Sequence, residues 1–245
     1  MIPLLLSALL CIGARAADAP ALPEVPVSRS TPGWSKQGKS LLLYDQDGAL
    51  SSEIGLLTEE NGAVTREVRG EPSPDGRAAW TIERKRTWNP SRNKLLESRR
   101  ILKVHGSSGQ LLWTDEAVEW PETGDPVIFS SDSKVALIAR HLGEAWSVEA
   151  RDWTGGVILK AGPFPRLVSI GLAGGGDYAM ARWAVPDKSD THSFLDIRNK
   201  ARKDIETSEL TLGLARIGDD GVVRSGRREV FSFAASSAAA SGTVP

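Results

Sequence analysis

Residues 73–82 read SPDGRAAWTI, a tight turn followed by an apolar strand, and the interpretation of the chain starts from them. Pro74 sets φ for the second position of the turn, and Asp75 suits the third. Gly76 supplies the left-handed conformation that lets a strand leave the turn. The stretch therefore predicts a β-turn that leads directly into a buried strand.

Four other stretches repeat this pattern of a turn followed by a strand. They begin at Ser35 (SKQGKSLLLY), Ser130 (SSDSKVALIA), Ala173 (AGGGDYAMAR) and Gly218 (GDDGVVRSGR), so that successive units are 38, 57, 43 and 45 residues apart. The position of Gly76 is glycine in every unit except one, where Ser133 stands. A period of this length indicates one supersecondary unit per repeat.

Hairpin turns recur between these positions. They are EENG ending at Gly62, GSSG at Gly109, WTGG at Gly156 and a weaker RNKA near Ala201. The flanking segments are short and apolar, and no stretch has a sustained helical period. The pattern predicts an all-β fold, a β-propeller-like array of about five four-stranded antiparallel blades, the last one incomplete.

The repeat also resembles a known family. The turn at residues 73–77, followed by a strand and by the hairpin LKVHGSSGQLLW, is similar to the blades of WD40-like propellers, especially those of the periplasmic Tol-associated type. The resemblance covers residues 35–233, although the Gly-His and Trp-Asp signatures of true WD40 repeats are absent from the sequence. It implies a ring of blades that binds partners, and it carries over no catalytic residue.

The chain divides into four segments by composition. Residues 1–16 contain an apolar run followed by Ala-Arg-Ala, which predicts a signal peptide cleaved after Ala16 and hence a secreted or periplasmic protein. Residues 17–34 form a Pro-rich linker or edge segment, 35–233 the propeller-like domain, and 234–245 a disordered Ala/Ser-rich tail. A lipoprotein acylated at Cys11 is the alternative for the first segment.

The last blade needs another strand to be complete, because an open ring leaves exposed edges. We expect a segment within residues 22–28 to supply its outer strand. The alternative is an open array of four blades that closes by pairing with another chain.

Composition excludes several classes of function. The 245 residues carry 30 basic and 31 acidic side chains, a balance that predicts no nucleic-acid partner. One Cys and three His exclude a disulfide framework and leave little material for a metal site, so we expect neither metal nor cofactor. After the first segment no apolar run approaches the about 18 residues of a membrane span, which predicts a protein that does not span the membrane.

The second unit is the longest, and its excess lies in two loops that we expect on one face of one blade. Residues 86–94 (RTWNPSRNK) are basic, and residues 116–126 (EAVEWPETGDP) are acidic. Tryptophans on polar loops often serve recognition. The candidate binding residues are Arg86, Trp88, Arg92, Lys94, Trp120 and Glu122. The alternative is that the two tryptophans pack on each other or on the next blade and that the charges pair.

These observations favour a non-catalytic binding or scaffold protein that recognises a protein or a cell-envelope polymer through this face. No catalytic residue is assigned. The alternative is a propeller-based hydrolase or lyase with a carboxylate and histidine site at the ring mouth, where Asp187, Asp190, His192 and His141 are of suitable type. The turn at Asp45 has the composition of a calcium loop but lacks its terminal glutamate, so it predicts an ordinary hairpin turn.

Overall fold

The computed structural model describes residues 32–210 and 215–233, which form five antiparallel sheets in chain order. Sheet 1 contains β1–β3, sheet 2 β4–β8, sheet 3 β9–β12, sheet 4 β13–β16 and sheet 5 β17–β19. The strands are β1 (Gly33–Gln37), β2 (Ser40–Tyr44), β3 (Leu50–Gly55), β4 (Thr58–Asn61), β5 (Val64–Pro72), β6 (Ala79–Trp88), β7 (Leu95–His105), β8 (Leu111–Asp115), β9 (Val127–Phe129), β10 (Val135–Leu142), β11 (Ala145–Asp152), β12 (Val157–Phe164), β13 (Arg166–Leu172), β14 (Tyr178–Ala184), β15 (Thr191–Asp196), β16 (Ala201–Glu206), β17 (Arg216–Ile217), β18 (Val222–Ser225) and β19 (Arg228–Ser232). A single 3₁₀ turn (Thr207–Glu209) follows β16.

This architecture confirms the all-β, propeller-like array of about five blades. Each sheet is a meander in which consecutive strands pair, and sheet 2 has a fifth strand, β4, at its edge. Sheets 3 and 4 have four strands each, and sheet 5 has three among the described residues, as expected of an incomplete last blade. The described residues contain no helix with the length and hydrophobicity needed to cross a bilayer.

The turn that opens each predicted unit has the same geometry in sheets 2 to 5. A backbone N–H at the fourth position donates to the carbonyl at the first, as from Gly76 to Ser73 at 3.0 Å and from Ser133 to Ser130 at 3.0 Å. The fourth residue has positive φ in every case, 72° at Gly76 and 59° at Ser133. The alignment of the repeated units therefore placed Ser133 correctly, because its backbone takes the conformation that glycine adopts in the other turns.

Sheet 1 differs from the predicted alignment. The turn containing Gly38 joins β1 to β2 and lies at the opposite end from the Gly76 turn, beside Trp120. The turn of residues 45–48, predicted as an ordinary hairpin turn, joins β2 to β3 and lies with the Gly76 turn. The Gly62 turn joins β4 to β5 within sheet 2. The alignment failed here because a glycine turn is a local feature, equally favourable at either end of a sheet.

The hydrophobic core consists of layers between successive sheets. β10 shows the reason, since Leu137 and Ala139 point to sheet 4 while Ala136 and Ile138 point to sheet 2. A strand that buries both faces needs a continuous apolar run, and residues 135–139 read VALIA. Similar layers join sheet 1 to sheet 2 around Trp34 and sheet 4 to sheet 5 around other apolar residues.

Hydrogen bonds also join each sheet to the next at the end that carries these turns, which we call the turn end. Trp34 N donates to Gly76 O at 2.7 Å, and Ser131 N donates to Gly174 O at 2.8 Å. Gly175 N donates to Asp219 Oδ1 at 2.6 Å, and Ser133 Oγ donates to an Asp75 carboxylate oxygen. The turns therefore form a continuous series of contacts from sheet 1 to sheet 5.

Several expectations concern residues outside those the structure describes. The signal peptide, the tail at 234–245 and the closing strand within residues 22–28 all fall there. In the described part of the chain, no strand pairing joins sheet 1 to sheet 5. The first described strand begins at Gly33, inside the segment 17–34 that composition assigned to a linker.

We predict that Gly76→Ala lowers the free energy of unfolding by about 2 kcal/mol, because alanine is strained at φ 72°. Its Cβ would also lie 3.0 Å from Trp34 O, at the contact between sheets 1 and 2. Urea denaturation measures the loss. The control is Gly55→Ala, where a Cβ meets nothing within 4 Å. Equal stability of the two variants would contradict the role assigned to this turn.

Candidate functional site

The first predicted loop, residues 86–94, is mostly an extension of two strands. β6 and β7 are 10 and 11 residues long, against 8 each for β10 and β11 of sheet 3, and they pair as far as Trp88 and Leu95. Two or three extra residues lengthen a strand by about 7–10 Å. A turn closes the hairpin where Asn89 N donates to Lys94 O at 2.9 Å. The end of the sheets that carries this hairpin is the insertion end.

The tip of this hairpin exposes apolar side chains beside cations. Leu95, which lies opposite the half-buried Trp88, is 41% exposed, and the next residue, Leu96, is 60% exposed. Lys94 is exposed and makes no ion pair with any described carboxylate. The exposed leucines and the tryptophan form a small apolar patch at the hairpin tip.

Arg92 has a structural role at the same tip. Its φ is 56°, and its guanidinium turns back to sheet 2, where Nε donates to Gly62 O at 3.0 Å and Nη1 pairs with Glu60 Oε2 at 3.0 Å. Trp88 N donates to Ala63 O at 2.7 Å. The β4–β5 turn thus supports the hairpin, which explains why sheet 2 has a fifth strand.

The second predicted loop, residues 116–126, is a strap across the insertion end. Its residues 117–119 extend the edge of sheet 3, where His141 N donates to Ala117 O at 2.9 Å and Glu119 N donates to Ala139 O at 3.1 Å. Further on, Thr123 N donates to Val168 O of sheet 4 at 2.9 Å. The strap therefore connects sheet 2 to sheet 4 over sheet 3.

Each glutamate in the strap pairs with an arginine. Glu116 lies 2.7 Å from Arg99 Nη2, and Arg166 Nη2 donates to Glu122 at 3.0 Å. Glu119 pairs with Arg100. Arg99 and Arg100 belong to β7 of sheet 2, and Arg166 belongs to β13 of sheet 4, so these pairs hold the strap against both sheets. The alternative expected the charges of the two insertions to pair with each other. Among the described residues, the glutamates of the strap pair instead with arginines outside residues 86–94.

Trp120 is half-buried, although its place in a polar insertion favoured exposure. One side packs on the core layer between sheets 2 and 3. The Arg69 guanidinium lies over its ring at 5.6 Å from the centroid. Trp120 also lines an open groove of about 480 Å³ with Lys36, Glu71 and Asp125. Burial and the nearby Glu71 carboxylate raise the pKa of Asp125.

Trp88 and Trp120 make no ring contact with each other in the described part of the chain. The structure brings Arg86, Trp88, Arg92 and Lys94 together on one hairpin and places Trp120 and Glu122 on the strap. Arg86 reaches Glu67 at 3.8 Å between Nη2 and Oε2.

A buried ionic network lies where the strap leaves sheet 2. Asp115 and Glu149 are 7% and 3% exposed, and Arg151 Nη2 reaches both, at 2.6 Å and 2.8 Å. Arg140 pairs with the same two carboxylates. Burial alone would raise the pKa of Glu149, but the hydrogen bonds and charges of the two arginines lower it below its ordinary value. The network binds the outer strand of sheet 2 to sheet 3.

The histidine and carboxylate residues considered for a metal or catalytic site have other contacts. His192 is buried beside Phe194, and burial together with the charge of Arg182 lowers its pKa to about 4. Asp190 pairs with Arg182 at 2.6 Å, and the His141 ring contacts the Trp146 ring at a tilt, 4.7 Å between centroids. Within residues 32–210 and 215–233, no three His, Cys, Asp or Glu side chains are grouped to share a metal ion.

The sequence analysis missed a cleft at the turn end. A cavity of about 310 Å³ lies between sheets 2 and 3, with Val104, Trp113 and Phe129 in its walls and Trp153 at its edge. Trp153 is 60% exposed on the WTGG turn. The sequence did contain an indication of this cleft, because a tryptophan at the tip of a turn is often exposed. The WTGG stretch was interpreted only as a hairpin turn.

No protein-family model matches the sequence, and the comparison with curated proteins finds no match. Among solved structures, the β-propeller domain of the Trilobed protease from Pyrococcus furiosus has a TM-score of 0.38 and 10% identity over 52% of this chain and 39% of that chain. TolB from Acinetobacter baumannii has a TM-score of 0.34 and 11% identity over 78% and 55%. The Dos1 propeller has a TM-score of 0.40 and 13% identity over 75% and 50%. All three are β-propellers, and this chain spans about half of each or less.

We predict that Glu149→Gln lowers the free energy of unfolding at pH 7 by about 3 kcal/mol, because it leaves Arg140 and Arg151 without full compensation. The pKa of Glu149 is lowered by folding, so its contribution is present above the ordinary glutamate pKa and is lost as the pH falls through the folded value. Denaturation at several pH values from 7 to 2 measures both effects.

The free energies of unfolding of wild type and Glu149→Gln, plotted against pH, should therefore converge in acid. His192 also lowers the free energy of unfolding in acid, because it becomes protonated as the chain unfolds. This loss is the same in both proteins and cancels when the free energy of the variant is subtracted from that of the wild type. Glu144→Gln is the control, because Glu144 is exposed and forms no ion pair with a described residue. A difference that stays constant down to pH 2 would contradict the assignment.

Proposed function

We propose that the protein is an exported, non-catalytic binding protein that recognises another protein through the insertion end of its sheets. The observation that carries the proposal is the hairpin extension of sheet 2, which exposes Leu95 and Leu96 beside Trp88 and Lys94. Protein interfaces are centred on buried apolar and aromatic anchors. The pairing of Arg92 with Glu60 and Gly62 supports this use, because it holds the hairpin in one position before a partner binds.

A protein partner is favoured over a sugar polymer by the state of the two tryptophans. Stacking on a sugar needs an open ring face. Arg69 lies over the ring of Trp120, and Trp88 is half-buried. A hydrolase or lyase is the other candidate, but His192 is buried and Asp190 is paired with Arg182, so no observation on the described residues favours it.

We predict that the double variant Trp88→Ala, Leu96→Ser loses partner capture at least tenfold, because it removes two apolar anchors from the hairpin tip. Tagged full-length protein is cross-linked in its native cells, and the captured proteins are quantified by mass spectrometry. The melting temperature of the variant is measured in parallel.

The matched control is Trp153→Ala, which removes an exposed tryptophan at the turn end. It should capture the same partners as wild type. Equal capture by the hairpin variant, or loss with Trp153→Ala alone, would overturn the proposal, and the second result would move recognition to the 310 Å³ cleft. Loss of a polysaccharide instead of a protein would identify the polymer alternative.

Export rests on residues 1–16, where an apolar run is followed by small residues. We predict that the mature protein begins at Ala17 and is found outside the cytoplasm. Cell fractionation and intact-mass measurement test this, with Ala16→Arg as the variant that retains residues 1–16. A cytoplasmic protein of full mass would refute export, and a diacylated Cys11 would identify a lipoprotein.

A further inference from the structure

Three arginines of sheet 2 share one face at the insertion end. Arg84 of β6 lies directly opposite Arg100 of β7, and Arg86 follows two residues further along β6. The same face carries Ile82 and Leu102 nearer the turn end, where they belong to the core layer against sheet 3. Like charges placed directly across a strand pair destabilise a sheet. On this face of β6 and β7, arginines therefore take the place of apolar core residues where the layer between sheets 2 and 3 approaches the insertion end.

The positive charge at this position is only partly compensated. Arg86 lies 3.8 Å from Glu67, Arg69 pairs with the same glutamate at 2.5 Å, and Arg100 pairs with Glu119 of the strap. The guanidinium of Arg84 makes no ion pair or hydrogen bond with any described residue, although the charge of Glu67, directly opposite on β5, acts on it. Four guanidinium groups thus share two carboxylates.

The hydrogen-bonding groups show the same deficit. The Nε atoms of Arg84 and Arg86 are both buried and lack an acceptor among the described residues. A buried donor without an acceptor costs free energy that folding does not recover. Burial and the charge of Arg86 lower the pKa of Arg84, and burial with both neighbouring arginines lowers that of Arg100. The sheet thus holds these cations together against their mutual repulsion.

We propose that Arg84, Arg86 and Arg100 form a binding site for an oxyanion, a carboxylate or phosphate group. The planar guanidinium presents paired N–H donors that match both groups. Such a group would supply the missing acceptors and negative charge. The site lies beside the strap, and the inference that the group belongs to the protein partner rests on the proposed function.

The test uses full-length protein in chloride buffer and titrates inorganic phosphate or malonate at constant ionic strength. We expect a rise in melting temperature that grows with the logarithm of the anion concentration and reaches about 3–5 °C at ten times the dissociation constant. A response to malonate indicates a carboxylate site, and a response to phosphate alone indicates a phosphate site.

Arg84→Met should abolish this rise. In chloride alone this variant should be at least as stable as wild type, because it removes a repulsive charge. If Arg84 had a purely structural role, the substitution would instead lower the melting temperature in chloride. Arg86→Met is a second variant with the same expectation. The control is Arg99→Met, next to Arg100 but on the opposite face of β7 and paired with Glu116, which should keep the full response.

The absence of a rise in melting temperature in wild type, or an undiminished rise in both Arg84→Met and Arg86→Met, would overturn the site. Failure of the proposed function is distinguishable, because Trp88→Ala, Leu96→Ser leaves all three arginines in place. If anion stabilisation persists while no partner is captured by any form, the oxyanion site stands and the proposed function falls.

Discussion

The array depends on the contacts between the turns at one end of its sheets. A four-stranded sheet has no closed core of its own, so each sheet gains stability only when it is held face to face with the next. The bonds from Trp34 to Gly76, from Ser131 to Gly174 and from Gly175 to Asp219 set that spacing. Short turns with a left-handed fourth residue make the close approach possible.

Between sheets 2 and 3 the character of the layer changes along the strands. Near the turns it is apolar, with Ile82 and Leu102 fully buried. Towards the other end Arg84 faces Arg100 across the strand pair, and at the side of the layer Asp115 and Glu149 are held by arginines. Burial of the apolar part stabilises the fold enough to offset the free-energy cost of the charged part. The candidate binding hairpin and the arginine face therefore lie at the insertion end, where the layer contributes least to apolar packing.

The sequence predicted what local chemistry controls and missed what depends on distant contacts. The turn at Gly76 and its counterpart at Ser133 followed from residue types, because φ is a local property. The end of sheet 1 at which the Gly38 turn lies depends on which strands pair. The burial of Trp120 likewise results from contacts with Arg69 and sheet 3, which no local pattern indicates. Of the candidate site, the hairpin was foreseen, whereas the arginine face and the Trp153 cleft were not.

The strap changes how the array responds to stress. In most repeat proteins each unit contacts only its neighbours, and stability is a sum of nearest-neighbour terms. Here Thr123 and Glu122 join the end of sheet 2 to sheet 4, so that sheet 3 lies beneath a link between its two neighbours. Sheet 3 cannot open without breaking that link. We therefore expect the middle three sheets to unfold together and the outer sheets to open first.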